Sequence, residues 1–529
     1  MMCKPPSILI KQVLSNFAVT GVDSIELGDY QGQITNDSRT ITQGDIFCAV
    51  IGYAQDGRDY IEDSIKKGAC LVLSECENKK HHGDIDYFDD EQRKVAVISF
   101  YQLNKQLFSL ASAYYQEPHL NMKMVGVTGT NGKTSTTQLL AQMLAQNSKP
   151  CAVIGTNGAG FVDYRGIHLT DVDNTTPSAT ELVQRFSQFS QQNICHLAME
   201  VSSHAIDQKR VCADIFDIAV FTNLSRDHLD YHSTMADYAA VKRQLFTNSE
   251  QQIAIINGDD KYGQTWLVNW SNKQNLWVYG RSEKIIKNNR FVSCRRIKHH
   301  GSGVDFVLTT HLGDIEIHSP LLGDFNIENL LAVISVLLVQ GTSLKAIAQQ
   351  VGNIKAIAGR METFTTRHAQ IKSFTAVVDY AHTPDALKKA LVACKQHCHG
   401  QLYVVFGCGG DRDKGKRSLM AQVAESYADC VVITNDNPRT EAPMTIIQDV
   451  VSGLSSSTEV VIIEDREEAV LATLAKAQAN DVVLLAGKGH EDYIVLGTEK
   501  IDYNERQVVM DFFNLLDSKQ AYESLGGKA

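Results

Sequence analysis

Residues 128–134 read Thr-Gly-Thr-Asn-Gly-Lys-Thr, a set of groups suited to handling phosphate. Backbone N–H groups around Gly129 and Gly132 can wrap phosphate oxygens, because glycine accepts positive φ and close approach. Lys133 adds a point charge, and the Thr134 hydroxyl can reach Mg²⁺. The common phosphate-loop pattern places a glycine five residues before Gly132, where this chain has Val127. The loop alone therefore predicts ATP or GTP binding and leaves open what the nucleotide is used for.

Further chemistry-bearing groups recur along the chain. Met199-Glu-Val-Ser-Ser-His204 offers Glu200 as a hard oxygen ligand for Mg²⁺. A glutamate capping a neighbouring helix is the simpler reading of that fragment. Residues 221–232 gather Asp227, His228, Asp230 and His232 into a short turn, a density that favours a site over a solvated loop. Lys242 reads as an ordinary solvated lysine of a helix over 235–247. In Val378-Asp-Tyr-Ala-His-Thr-Pro384, Asp379 suits a ribose, and Tyr380 or His382 suits a base. The glycine-rich, cationic run 406–417 predicts an anion site. With Asp436-Asn-Pro-Arg439 and Gly487-Lys-Gly-His-Glu491, it brings Arg412, Arg439 and Glu491 to three loops. A ligand bearing both carboxylate and ammonium suits them, since Arg forks bind carboxylate and Glu holds an amine.

These groups need strand ends to hold them. Apolar, partly β-branched runs predict strands at 123–127, 152–154, 196–201, 215–222 and 253–257, and again at 376–379, 402–406, 430–434, 460–463 and 482–485. Helices alternate with them, at 135–146 and 235–247 and from Gly323 through Leu338 among others. Residues 1–120 read as a smaller α/β unit, with strands at 46–50, 70–73 and 95–99 and helices at 60–67 and 103–115. The polar stretch 74–93 reads as a surface insertion, and 276–317 as a less regular section that could hold a small antiparallel element. The fold class is α/β in three domains. Residues 1–120 come first, then a central phosphate-loop domain with a doubly wound sheet at 121–358, then a Rossmann-like domain at 359–529.

The 529 residues, 43% hydrophobic and 21% charged, suffice for several cores. A net charge of -11 argues against a nucleic-acid coat. No apolar run approaches the ~18 residues of a membrane span, and the N-terminus lacks the apolar core of a secretory signal. The 12 cysteines include no Cys-x-x-Cys pair, which fits reduced thiols in a cytoplasmic protein. Cys394 and Cys398 flank His397, beside His399. Without a second ligand pair this reads as a helix end with solvated histidines rather than a zinc site.

Six segments in order, Gly129–Thr134, Glu200–His204, Thr222–His228, Gly359–Met361, Asp379–His382 and Gly487–His490, together resemble the Mur ligases. These are ATP-dependent amide-bond ligases of peptidoglycan precursor synthesis, and Val127 is shared by their own phosphate loop. The resemblance implies a monomer whose ATP contacts are Gly129, Thr130, Asn131, Gly132, Lys133, Thr134, Asn329, Arg360 and Asp379. It implies Mg²⁺ on Thr134, Glu200 and His228, and on Lys242 as a CO₂-derived carbamate. Asn36, Ser38, Tyr53, Ala54 and Gln55 would hold the uridine end of a UDP-muramoyl dipeptide. Asn174, Thr175, Thr176, Ser202, Gln208 and Arg210 would hold its peptide arm. Asp436-Asn437-Pro438-Arg439 matches members that add meso-diaminopimelate, with Arg412, Gly487 and Glu491 completing that pocket. Tyr53-Ala54-Gln55 stands where His-Gln-Ala is common, and Asn36 where an apolar residue is frequent.

The implied chemistry proceeds through an acyl phosphate. Lys133 and Mg²⁺ neutralise the phosphates, while His204 or a phosphate oxygen takes the amine's proton. Shielding the acyl phosphate from water predicts closure about hinges near 118–121 and 356–360. A lysine-adding or folylpolyglutamate-forming relative and a regulatory NTPase are the competing readings. The first is disfavoured by the Asp-Asn-Pro-Arg loop, the second by the uridine-type N-terminal domain. The third leaves Arg412, Arg439 and Glu491 without a role.

Overall fold

A computed structural model describes residues 7–25, 27, 32–53, 55–90, 93–172, 174–228, 231–247, 249–300, 303–366, 374–455 and 460–524. Ala54 and Asp230 lie outside the described residues. The chain divides into two compact units, Met1–Phe291 and Val292–Ala529.

In the first unit, β1 (Ile34–Thr35), β2 (Ile46–Ala49), β3 (Leu71–Cys76), β4 (Ile85–Asp90) and β5 (Arg93–Tyr101) form a sheet in the order β1-β2-β3-β5-β4. All its pairs are parallel except β4 with β5. The expected insertion at 74–93 therefore holds the end of β3, the whole of β4 and the start of β5. β4, Ile-Asp-Tyr-Phe-Asp-Asp, is an edge strand whose aspartates disguise it in sequence and discourage pairing with another chain.

The larger sheet of this unit contains β6 (Lys123–Thr128), β7 (Cys151–Gly155), β8 (Gly158–Asp163), β9 (Gly166–Thr170), β10 (His196–Glu200), β11 (Ile218–Phe221), β12 (Ile253–Asn257) and β13 (Leu276–Tyr279). Their order is β13-β12-β11-β6-β10-β7-β8-β9. The pairs from β13 to β7 are parallel, and β7-β8-β9 is an antiparallel meander. Central β6 is flanked by β10 and β11, and its register sets Glu200 beside Val127 and Phe221 beside Thr128. The phosphate loop, Glu200 and Thr222 thus leave the sheet at one level, at the carboxyl ends where α/β sheets bind ligands. Helix Lys133–Ala145 starts from that loop and is buried along most of its length.

In the second unit, β14 (Phe291–His300), β15 (Gly303–Thr310) and β16 (Gly313–Ser319) form an antiparallel meander, with a bulge in β14 between Arg295 and Lys298. The section 276–317 holds β13 and this meander, the antiparallel element expected there. The apolar helix Asp324–Val339 follows and is buried. A second doubly wound sheet then contains β17 (Glu362–Phe364), β18 (Thr375–Asp379), β19 (Leu402–Phe406), β20 (Cys430–Ile433), β21 (Val460–Ile462) and β22 (Val482–Ala486). Its order is β17-β18-β22-β19-β20-β21, parallel except at β17. A hairpin of β23 (Tyr493–Leu496) and β24 (Glu499–Asp502) follows. Among the described residues no helix is long and apolar enough to cross a membrane.

Two buried polar devices hold this unit. Arg466 and Glu505, both 0% exposed at the side chain, pair through Nε–Oε2 at 2.5 Å and Nη2–Oε1 at 3.0 Å. Arg466 also donates to the carbonyls of Asn435 and Ala486, which tie it to the loop ends of β20 and β22. Arg466→Met leaves Glu505 buried and unpaired, so we expect a loss of about 3–5 kcal/mol in denaturant unfolding. Arg466→Met with Glu505→Met should recover most of it, and a single variant within about 1 kcal/mol of the parent would refute this. His397 is the second device, and it is buried rather than solvated. Its Nδ1–H donates to the His300 carbonyl at 2.7 Å and its Nε2 accepts from the Gly323 N–H at 3.3 Å. Burial lowers its pKa, which favours the neutral ring that this pattern requires.

Candidate active site

The phosphate loop is shaped by two glycines and pinned by β11. Gly129 has φ +154°, and a Cβ there would lie 1.9 Å from Thr222 Oγ1; Gly132 has φ +84°. Asn223 accepts the Thr130 N–H on its carbonyl at 2.8 Å and the Asn131 N–H on Oδ1 at 3.0 Å. Thr222 Oγ1 donates to the Asn131 carbonyl at 2.7 Å. Lys133 Nζ lies across the loop, donating to the Gly129 and Thr130 carbonyls at 3.0 Å each. Asn223, which sequence reasoning did not single out, is thus part of the loop's frame; its signal is its place directly after a buried strand. Gly129→Ala forces the loop off Thr222 and into strain. We expect the KM for ATP to rise about 10–100-fold, equivalent to ~1–3 kcal/mol, with the unfolding temperature little changed; an unaltered KM would refute the role.

Glu200, at the end of β10, is 1% exposed. It does not cap a helix. Its Oε1 accepts the Thr156 N–H at 2.8 Å and its Oε2 the Thr156 hydroxyl at 3.2 Å. A Cβ on Gly155 would land 2.1 Å from Oε1, so that glycine makes room for the carboxylate. Thr176 Oγ1 donates to the Glu200 carbonyl at 2.9 Å and accepts the Ser202 N–H at 3.1 Å. Arg210 donates to the Thr176 carbonyl at 2.9 Å and to Gln208 Oε1 at 2.8 Å. Thr175 Oγ1 lies 3.0 Å from Thr156 Oγ1, and Ser202 caps helix Ser203–Asp207. Thr175, Thr176, Glu200, Ser202, Gln208 and Arg210 thus form one connected patch; Asn174 stands exposed in the adjoining loop.

An imidazole and phenol cluster adjoins it. The His204 ring lies 4.1 Å from that of Tyr231 and 5.0 Å, perpendicular, from that of His228. His232 meets Ser203 Oγ at 2.9 Å and stacks on Tyr238, whose hydroxyl lies 3.3 Å from Thr130 Oγ1. From the N-terminal sheet, Tyr53, 85% exposed, brings its ring to 5.4 Å from Tyr231. Gln55 Oε1 accepts from the Tyr60 hydroxyl at 3.4 Å. Asn36 Oδ1 accepts from the Thr180 hydroxyl at 2.7 Å, which joins the turn after β1 to helix Ala179–Gln191, and the Ser38 carbonyl accepts from Lys67 at 3.1 Å.

Lys242 overturns the reading of a solvated lysine. It is 1% exposed, four residues after buried Tyr238 and therefore on the same inward helix face. Its Nζ donates to the Gly129 carbonyl at 2.9 Å, lies 3.5 Å from Thr128 Oγ1, and sits 4.8 Å over the Tyr238 ring. Among the described residues no carboxylate comes within ion-pair distance of it. Burial, and then the charge of Lys133, hold its pKa far below the usual lysine value.

Mg²⁺ is bound through oxygen, typically one or two carboxylates with phosphates and waters. The Glu200 carboxylate, at the end of β10, and the Thr134 hydroxyl, in the first turn of the helix that follows neighbouring β6, suit that demand. His228 supplies nitrogen, stands at φ +53°, and has Nε2 3.4 Å from Asp227 Oδ2. Lys242 suits a hard cation only after its amine has become an anion.

The second unit places most of the other predicted groups at the carboxyl ends of its parallel strands, while Asn329 lies on helix Asp324–Val339. Asp379 accepts the Met361 N–H at 2.8 Å and the Ala381 N–H at 2.9 Å; burial raises its pKa against the opposing charge of Arg360. Arg360 lies 4.7 Å over the Tyr380 ring, and its buried Nε has no hydrogen bond among the described residues. That leaves a donor for a ligand. His382 is turned back on the Tyr380 carbonyl at 2.8 Å. Asn329 is buried and donates to Asn326 Oδ1 at 3.2 Å.

Beside them stand the loops after β19, β20 and β22. A Cβ on Gly409 would be 2.9 Å from Arg439 Nη1 and 3.8 Å from Arg412 Cγ, so both arginines border one glycine. Arg439 itself stands at φ +52°, as Asp411 does at +53° and Met361 at +48°. Non-glycine residues held there gather where structure over-determines them, often at sites. Glu491 accepts from the Tyr380 hydroxyl at 3.2 Å and from Asn437 Nδ2 at 3.0 Å. A Cβ on Gly487 would sit 3.0 Å from Asp436 Oδ2. Burial pushes the Asp436 carboxyl upward, but Lys488 and Arg466 hold it below its usual pKa. The Pro438 carbonyl packs against Gly410, turning the loop toward Arg439.

A glycine-rich loop and helix N-terminus on one sheet, and loops carrying Arg412, Arg439, Asp436 and Glu491 on another, suit a nucleotide-using α/β enzyme of the ligase type. Family models agree. The Mur ligase family catalytic domain matches residues 32–115, the Mur ligase middle domain 127–337, and the Mur ligase glutamate ligase domain 359–489. The UDP-N-acetylmuramoyl-L-alanyl-D-glutamate–2,6-diaminopimelate ligase of Haemophilus influenzae (strain 86-028NP) is 41% identical over 476 residues, 90% of this chain and 95% of that protein. A solved structure of a ligase of that name aligns with TM-score 0.64 and 32% identity, covering 92% of this chain and 95% of that one. A folylpolyglutamate synthase of Mycobacterium tuberculosis shares the fold at TM-score 0.56 and 18% identity, over 72% of this chain and 91% of its own. The chain belongs to the Mur ligase family.

Proposed function

We propose that this enzyme uses ATP to join meso-2,6-diaminopimelate to the D-glutamyl γ-carboxylate of UDP-N-acetylmuramoyl-L-alanyl-D-glutamate, in peptidoglycan precursor synthesis. One arrangement carries the reading: Arg412 and Arg439 border Gly409, while Asp436 and Glu491 stand on neighbouring loops of the same sheet. Diaminopimelate differs from lysine by a distal carboxylate, and guanidinium forks recognise carboxylates. Functional divisions at 1–120, 121–358 and 359–529 would bind the UDP-sugar, ATP and the amino acid respectively.

The γ-carboxylate attacks the γ-phosphorus of ATP, the bond to ADP breaks, and an acyl phosphate forms. The free amine then attacks the acyl carbon and phosphate leaves. Either His204 or a phosphate oxygen takes the amine's proton. Two anions meet in the first step, so Lys133 and the loop N–H groups act where charge develops. Thr134, Glu200 and His228, with Lys242 as a carbamate, would hold Mg²⁺, which supplies further neutralisation of phosphate charge. Lys242 would acquire its carbamate when its neutral amine adds to CO₂ and loses a proton. Asn36, Ser38, Tyr53, Ala54 and Gln55 would take the uridine end. The Thr176–Ser202–Arg210 patch with Asn174, Thr175 and Gln208 would take the dipeptide arm. ATP would also contact Asn329, Arg360 and Asp379. These substrates place the enzyme in the cytoplasm, and we read it as a monomer.

Phosphate release tests this. It should require both the UDP-muramoyl dipeptide and meso-diaminopimelate; ATP hydrolysis indifferent to both would replace the reading with a regulatory NTPase.

A further inference from the structure

Lys488 lies in the loop after β22, and its side chain is 0% exposed. Its Nζ meets Asn437 Oδ1 at 2.7 Å, the Tyr493 carbonyl at 2.8 Å, Asp436 Oδ1 at 3.2 Å and Glu491 Oε2 at 3.3 Å. An ammonium has three protons to donate. Asn437 Oδ1, the Tyr493 carbonyl and Glu491 Oε2 take all three, so none remains for a substrate, and Asp436 Oδ1 faces the ammonium as an ion-pair partner only. We propose that Lys488 is a positioning residue that sets the geometry and charge of the ammonium-binding half of the amino-acid site; this rests on the ligase reading above.

Geometry comes through Asn437. Its Oδ1 accepts from both Lys488 and the Val495 N–H, the latter at 2.8 Å. That fixes the amide so that Nδ2 faces Glu491 Oε2 at 3.0 Å. Glu491 is held on its other oxygen by Tyr380. Asp436 Oδ1 is buried and, despite its closeness to Lys488, makes no hydrogen bond among the described residues. A buried carboxylate oxygen in that state points to a donor that arrives with the ligand. Charge follows from the count: two carboxylates, Asp436 and Glu491, against one ammonium leave one net negative charge. Nearby Arg466 is neutralised by Glu505. One substrate ammonium completes the balance, while the arginines at Gly409 meet carboxylate. Without Lys488, two close carboxylates repel, one tends to take a proton, and Asn437 loses its fixed orientation.

The test is steady-state phosphate release by the full-length Lys488→Met and Lys488→Gln variants. The KM for meso-diaminopimelate should rise at least about tenfold, the cost of a charge-assisted contact. It should also become pH-dependent between about pH 6 and 8, while the KM values for ATP and the UDP-muramoyl dipeptide stay within about twofold. Unchanged diaminopimelate KM in both variants overturns the proposal. So does loss of the cooperative unfolding transition in both, which assigns Lys488 to stability instead. Absence of diaminopimelate-dependent turnover in the parent enzyme is a separate result, and it removes the ligase reading together with this one.

Discussion

Lys242→Ala is expected to lower kcat by about 10²–10³-fold, the usual scale for losing one preorganised electrostatic contact at a reacting phosphoryl group. The reason is the burial of its side chain. An ammonium at this position has carbonyl and hydroxyl partners only, with Lys133 close enough to disfavour the charge. Burial and the charge of Lys133 therefore favour the neutral amine, the form that adds to CO₂. Carbamate formation exchanges an unfavourable cation for an anion next to the phosphate loop. Activity should fall on the acid side, where the amine protonates, and added bicarbonate should shift that fall to lower pH. Lys242→Glu, which restores a carboxylate, should retain more activity than Lys242→Ala. Full activity of Lys242→Ala, or intact mass and density showing no carbamate in active enzyme, would contradict the role.

Arg439→Met should raise the KM for meso-diaminopimelate about 100-fold, equivalent to ~2.7 kcal/mol at ~1.4 kcal/mol per decade. The Arg439 backbone stands at φ +52° and its Nη1 donates to the Gly410 carbonyl at 2.9 Å, so the fork is fixed before substrate arrives. Methionine keeps the apolar stem and removes only the fork. L-Lysine has no distal carboxylate and loses nothing by the change. The ratio of kcat/KM between the two amino acids should therefore collapse, even though activity with lysine stays low. An equal loss for both substrates would assign Arg439 to loop stability rather than recognition.

Much of this was legible in the chain, for reasons that differ by element. β12 and β19 match their expected bounds because buried parallel strands are continuous apolar runs with polar breaks on either side. The hairpins β8–β9 and β23–β24 carry no such signal, since their strands are short and partly or wholly exposed. β4 was hidden by its own aspartates. The chemical motifs at strand ends were readable, and the structure joins Thr176, Glu200, Ser202 and Arg210 as well as Tyr380, Asn437 and Glu491 into hydrogen-bonded sets. What sequence could not reveal was burial. Lys242, His397 and Lys488 look like solvated residues until packing closes around them, and their chemistry depends on that closure. Departures at Asn36 and Tyr53 are likewise explained only in three dimensions, by Thr180 and Tyr231.

The most direct measurement is the mass of the nucleotide product formed from ATP, UDP-N-acetylmuramoyl-L-alanyl-D-glutamate and an equimolar mixture of meso-diaminopimelate and L-lysine. The account predicts a UDP-muramoyl tripeptide carrying diaminopimelate almost alone, with one ADP and one phosphate per product. A lysine-bearing product, or ADP without any new amide, would contradict it.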